Sequence, residues 1–212
     1  MRPEIKFCGL TRPADAAFAA SVGASYVGVV FAEGPRRVSA EHAADVLAAA
    51  GTGPRRVGVF ASIRDAELEA TARKAGLNVI QLHDDPSAAD MASARERTGC
   101  AVWAVVRVAG ALFPERAREM FGVADAVLLD ARSERALGGT GTSWPWEALA
   151  GDVRASRGAG RFVLAGGLTP ENVRRAIELL DPDIVDVSSG VETAPGVKDH
   201  ARMRAFAEAA WA

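Results

Sequence analysis

A thiol and a carboxyl group close two apolar runs far apart in the chain. Cys8 ends Glu4-Ile5-Lys6-Phe7-Cys8, and Asp130 ends Val127-Leu128-Leu129-Asp130. A carboxyl emerging from a low-dielectric wall is driven towards its protonated form, the state a general acid needs. A thiol serves as a base only through its thiolate fraction, which its surroundings set. Each residue also has an ordinary reading. Unpaired cysteines are usually buried hydrophobes, and aspartates at strand ends often cap turns. Lys6 lies two residues before Cys8, so both would share one face of a strand, where an ammonium favours the thiolate.

Three glycine-bearing stretches suit a dianion: Gly138-Gly139-Thr140-Gly141-Thr142, Gly166-Gly167 and Ser188-Ser189-Gly190. Backbone N–H groups exposed by glycine, with a short helix N-terminus, bind phosphate without lysine. The same glycines also simply permit tight turns. Arg36, in Gly34-Pro35-Arg36-Arg37-Val38-Ser39, is either a bidentate clamp for a carboxylate or a solvated loop charge. His83, after Gln81-Leu82, either caps a strand end or lines a pocket. Trp103, Trp144, Trp146 and Trp211 read as packing residues.

These residues need a scaffold that brings them together. Short apolar runs without polar alternation occur at 4–8, 26–31, 56–60, 78–82, 101–106, 125–129, 161–165 and 183–187. Such runs suit parallel strands buried on both faces. Helical patterns fall between them at 13–22, 40–50, 64–75, 87–98, 114–121, 145–150, 170–180 and 199–211, several opened by Pro or Ser signals such as Thr169-Pro170-Glu171. Eight βα units in 212 residues with no Pro/Ser-rich linker predict one closed (β/α)8 TIM barrel spanning 1–212. An open doubly wound sheet would more often carry a glycine fingerprint after its first strand, which Cys8-Gly9-Leu10-Thr11 is not. In a closed barrel the C-terminal strand ends share one rim, where such enzymes place their sites.

Composition excludes several other classes. With 25 basic and 27 acidic side chains interspersed, the formal net charge of −2 leaves no footprint for nucleic acid or an anionic membrane. Two cysteines and three dispersed histidines form neither a disulfide framework nor a metal pattern, so no metal is expected. No apolar run approaches the ~20 residues of a membrane span. A cytoplasmic location is expected, with a monomer favoured over a homodimer because no long exposed apolar stripe stands out.

Taken in order, the motifs resemble one family. Lys6-Phe7-Cys8-Gly9-Leu10-Thr11, Gly34-Pro35-Arg36-Arg37-Val38-Ser39, Gln81-Leu82-His83 and Leu128-Leu129-Asp130 are similar to phosphoribosylanthranilate isomerase of tryptophan biosynthesis. So are Gly138-Gly139-Thr140-Gly141, Ala165-Gly166-Gly167-Leu168-Thr169-Pro170-Glu171-Asn172-Val173, Asp186-Val187-Ser188-Ser189-Gly190-Val191-Glu192 and Pro195-Gly196-Val197-Lys198-Asp199. The resemblance implies a cofactor-free Amadori rearrangement of a small phosphorylated substrate. It makes Asp130 the general acid and Cys8 the general base. Arg36 would hold the anthranilate carboxylate, while Gly139, Gly141, Gly166, Gly167, Ser189 and Gly190 would hold the phosphate. Lys6, His83 and Asp186 would complete the substrate site, Asp186 meeting the anthranilate or orienting a neighbour.

The sequence departs from the family pattern at Arg37 (often aromatic), Asp84 (usually glycine), Thr142 (usually lysine) and Ala165 (usually serine). Two rivals remain. One is the sister isomerase of histidine biosynthesis, or a bifunctional enzyme. That relative carries an aspartate at the end of strand one, where this chain has Cys8, and a second phosphate loop where this chain has Asp84 and Asp85. The other is a non-catalytic barrel binding a phosphorylated ligand, which would be expected to lose Cys8 or Asp130.

Overall fold

The computed structural model describes residues 2–131 and 145–212. The chain runs β1 (Glu4–Phe7), α1 (Pro13–Ser21), β2 (Tyr26–Val30), α2 (Ala40–Ala48), β3 (Arg55–Phe60), α3 (Leu68–Ala75), β4 (Val79–Leu82) and α4 (Ala88–Thr98). It continues through β5 (Ala101–Val108), α5 (Glu115–Phe121), β6 (Ala126–Ala131), α6 (Trp146–Arg157), β7 (Phe162–Leu164), α7 (Val173–Leu180) and β8 (Ile184–Val187). A 3-10 turn (Ser189–Val191), a short hairpin of β9 (Glu192–Ala194) and β10 (Val197–Lys198), and α8 (His200–Trp211) complete it. Strands β1 to β8 pair in parallel and in order, and β8 closes on β1. The expected (β/α)8 barrel is the observed fold.

Strand parity divides the apolar residues into two cores, because successive side chains point to opposite faces. Residues such as Ile5, Phe7, Val27 and Val29 face outward and pack beneath the helices. Inside the barrel, Tyr26, Val57, Val79, Trp103, Val105, Leu128, Val163 and Ile184 form a second cluster. Tyr26 and Trp103 meet edge to face at 4.9 Å and fill its lower part. Two residues further along each strand, the same inward parity yields Lys6 and Cys8, Gln81 and His83, Asp130, and Asp186 and Ser188. One alternation therefore places apolar bulk at the bottom and chemistry at the top.

Three helix boundaries differ from the sequence expectation by three residues or more. Helix α3 begins at Leu68 rather than 64, because Ser62 and Asp65 side chains accept from the N–H groups of Arg64 and Glu67. Such local bonds compete with the helical ladder. Helix α7 begins at Val173 rather than at Pro170, since Thr169 and Asn172 first form a turn in which Asn172 Oδ1 accepts from Thr169 N. Helix α6 runs on through Gly151 to Arg157, because buried Trp146, Leu149 and Val153 offset the ~1 kcal/mol that an internal glycine costs. The hairpin β9–β10 was not anticipated. Its strands are only three and two residues long.

The chain's ends meet. Trp211 Nε1 donates to Pro3 O at 3.0 Å, and Cys8 N donates to Val187 O at 2.9 Å. No helix among the described residues is long and apolar enough to cross a membrane.

Candidate active site

The C-terminal rim surrounds a cavity lined by Cys8, Arg36, His83, Asp130 and Asp186 together with Gly166, Gly167, Ser189 and Gly190. Its apolar wall comes from Val30, Val59 and Leu128. Cys8 is 8% exposed, so it combines a buried position with access to the cavity. Of the residues singled out from the sequence, Gly138, Gly139, Thr140, Gly141, Thr142 and Trp144 lie outside the described residues.

Lys6 does not line the cavity. It lies beneath the floor, fully buried, with Nζ donating to Asp186 Oδ2 at 2.7 Å and Gln81 Oε1 at 2.9 Å. Strand register explains the pairing, since Lys6 on β1 stands level with Asp186 on β8. Lys6 nonetheless favours the thiolate, as expected, through its charge and a hydrogen bond to Cys8, but it does not prevail. Burial pushes the Cys8 thiol up and outweighs the lowering by Lys6, while Asp186 adds to the rise and Lys198 opposes it. Burial also works against the Lys6 ammonium, but Asp186 and then Cys8 outweigh it and hold its pKa above the usual lysine value.

Asp130 is raised to about 6, chiefly by burial and next by the negative charge of Asp186. Near neutral pH a useful fraction of its carboxyl is protonated. His83 moves the other way, down to about 4, through burial and the nearby cations Arg107 and Lys6. It is neutral at physiological pH, and its buried Nδ1 has no hydrogen-bond partner among the described residues. Asp186 Oδ1 is likewise buried and unpartnered among them, beside Oδ2, which the Lys6 ammonium occupies.

The glycines are there because side chains would not fit. A Cβ on Gly190 would stand 1.9 Å from Leu168 O, and one on Gly166 would stand 2.5 Å from Ala131 N and 2.9 Å from Asp130 Oδ1. Gly166 and Gly167 have φ of 87° and 70°, a left-handed conformation that L side chains rarely adopt. Among the described residues, neither glycine's N–H donates to a protein acceptor. That leaves them suited to an anion.

Arg36 lines the cavity, but not as a free loop charge. Its Nε and Nη2 grip Glu192, the shorter contact 2.6 Å, and Glu192 Oε1 also accepts from Lys198 Nζ at 2.8 Å. Glu192 and Lys198 stood within the motifs but had no assigned role, because nothing local in the sequence joins them to residue 36. Gly28 on β2 was missed as well. A Cβ there would sit 3.2 Å from both Cys8 Sγ and Lys6 Cε, so this strand glycine makes room for the thiol. Arg37 turns away to pair with exposed Glu33 and lies outside this cavity, so it adds no second grip on a carboxylate. Asp84 stands 4.0 Å from Arg107 at the outer rim.

An eight-stranded parallel barrel with a carboxyl, a thiol and paired glycines lining one cavity at its C-terminal rim has the architecture of a (β/α)8 barrel enzyme. The family model for N-(5'-phosphoribosyl)anthranilate (PRA) isomerase matches residues 5–209, and the chain belongs to this family. It is similar to the N-(5'-phosphoribosyl)anthranilate isomerase of Rubrobacter xylanophilus, 43% identical over 98% of both chains. Among solved structures it resembles phosphoribosyl anthranilate isomerase from Thermotoga maritima, with TM-score 0.86, 35% identity and 98% of each chain covered. It also resembles a phosphoribosyl anthranilate isomerase in complex with reduced 1-(o-carboxyphenylamino)-1-deoxyribulose 5-phosphate, with TM-score 0.82, 33% identity and 98% of each chain covered.

Proposed function

We propose that this cavity converts N-(5-phosphoribosyl)anthranilate to 1-(2-carboxyphenylamino)-1-deoxyribulose 5-phosphate, the isomerase step of tryptophan biosynthesis, with Asp130 as general acid and Cys8 as general base. The observation that carries the assignment is that both groups open onto one cavity with Gly166 and Gly167. Asp130 gives its proton to the furanose ring oxygen as the bond from C1′ to that oxygen breaks and the anilino nitrogen forms an iminium. The iminium acidifies the C2′ hydrogen, so a thiolate of moderate basicity removes it. The released electron pair makes an enolamine, and a proton returned to C1′ as the C2′ hydroxyl gives up its own proton completes the ketone. C1′ is reduced and C2′ oxidised within one molecule, so the electrons balance internally.

Binding follows the lining. The apolar wall of Val30, Val59 and Leu128 suits the anthranilate ring. Arg36 takes the ring carboxylate, while the loops of Gly166-Gly167 and Ser189-Gly190 take the phosphate. His83, held neutral, offers a hydrogen-bonding nitrogen to the sugar. Among the described residues the exposed large apolar side chains are Leu112 and Val123, which fits a chain that acts as a monomer.

With substrate generated in situ from anthranilate and phosphoribosyl pyrophosphate, the purified chain is expected to consume the fluorescence of phosphoribosylanthranilate. Absence of turnover would overturn the reading. Gly190→Ala tests the phosphate end. Its methyl cannot coexist with Leu168 O, so the two loops must part. KM is expected to rise about tenfold or more, a loss of at least ~1.4 kcal/mol in binding. An unchanged KM would remove this loop from the phosphate site.

A further inference from the structure

We propose that Glu192 and Lys198, on the hairpin β9–β10, are positioning residues that hold Arg36 as a preformed receptor for the aromatic carboxylate of the substrate. The inference rests on the reading above that Arg36 takes this carboxylate, and extends it to two residues that need not touch the substrate.

A guanidinium has two edges that can each grip a carboxylate bidentately. Glu192 uses the Nε/Nη2 edge, with contacts of 2.9 Å and 2.6 Å, which leaves the Nη1/Nη2 edge for a second planar anion. The Arg36 stem is aimed by packing as well. It crosses the end of β1 over Gly9, where a Cβ would lie 2.5 Å from Arg36 Cδ. One fork gripped by two carboxylates would carry a net negative charge. Lys198 corrects this, its fully buried ammonium bonding Glu192 Oε1 at 2.8 Å and Ser188 O at 3.1 Å. Arg36, Lys198, Glu192 and the bound carboxylate then form a neutral quartet at the cavity edge.

The hairpin is fixed rather than free to swing. Thr11 Oγ1 donates to Gly196 O at 2.6 Å, and Gly196 N donates to Glu192 Oε1 at 3.3 Å. On the other side, Asp15 Oδ2 accepts from Lys198 N at 3.2 Å, and Arg12 Nη2 donates to Lys198 O at 3.1 Å. Preorganisation of this kind lowers the ordering cost of binding, because the arginine does not have to be immobilised by the ligand.

The test uses two inhibitors: the reduced product analogue bearing the o-carboxyphenylamino group, and its counterpart bearing phenylamino. Glu192→Gln and Lys198→Met are each expected to weaken the first about tenfold and the second less than about twofold. KM should rise while kcat stays within about threefold. In an Arg36→Met background, Glu192→Gln should add nothing further. Two variants are used so that loss of folding in one leaves the other decisive. Equal weakening of both inhibitors, or a further loss in the Arg36→Met background, would overturn the proposal while Arg36 alone still discriminates between them. If Arg36→Met itself weakens both inhibitors equally, the assignment of Arg36 to the carboxylate fails, and the inference falls with it.

Discussion

Asp130→Asn is expected to abolish most turnover and, at the same time, to stabilise the protein above pH 6. The amide cannot deliver a proton to the ring oxygen, and loss of a positioned general acid typically costs ~10²–10⁴-fold in rate. The stability effect follows from the same burial that makes the group an acid. Asp130 moves from an ordinary value of 3.8 to about 6 in the folded protein. Between those values the native state holds a proton that the unfolded chain has released, so stability falls as pH rises through this window. Above it the buried carboxylate costs on the order of 2–3 kcal/mol, at ~1.4 kcal/mol per pH unit. Asparagine carries no such charge. Thermal midpoints of variant and parent should therefore differ by several degrees at pH 8, at about 2–4 °C per kcal/mol, and converge towards pH 4. A difference that does not change with pH would refute the burial argument, and retained turnover would refute the acid.

Cys8→Ser is the second large effect. A hydroxyl in place of the thiol removes the base, and kcat is expected to fall ~10²–10⁴-fold with little change in KM. A fall confined to KM would make Cys8 a binding residue. The wild-type pH dependence carries the same information. The proposed mechanism needs Asp130 protonated and Cys8 as thiolate, yet the acid titrates near 6 and burial pushes the thiol above its usual range. Below pH 6 the acid is already protonated, and kcat/KM should rise tenfold per unit as thiolate forms. Above pH 6 each gain in thiolate is matched by a loss of protonated acid, so the profile should be flat until the thiol itself titrates. Asp186→Asn should move the acidic limb below 6. It removes a charge that raises Asp130 and leaves the Lys6 ammonium without its counter-ion.

The strand-end rule explains how much of this site could be read before any geometry. Cys8, His83, Asp130 and Asp186 each follow an apolar run, and period-two alternation turns all of them inward on a closed barrel. Arg36 and the glycine loops were legible as chemistry, because their residue types suit anions. The interactions that decide charge were not legible. Lys6 does favour the thiolate two residues away, but the sequence did not show that the register of β1 on β8 also pairs its ammonium with Asp186, or that burial prevails at the thiol. The grip of Glu192 on Arg36 spans 156 residues and depends on a hairpin too short to leave a periodic signal. Gly28 reads as an ordinary break in a valine run until the thiol it accommodates is seen beside it.

Closure of β1 by β8 also governs when the site can exist. Lys6 lies on the first strand and Cys8 just beyond its end, but their partners Asp186 and Val187 arrive with the last. The Lys6 ammonium and its counter-ion are separated by 180 positions in the chain. Parallel pairing between such distant segments is intrinsically slow, since loop-closure entropy opposes it until the contact is made. A half-barrel made by truncation would carry Cys8 or Asp130 but not both, and is expected to be inactive. Activity and ring closure should appear in a single kinetic phase during refolding, making turnover a direct clock for the final step of folding.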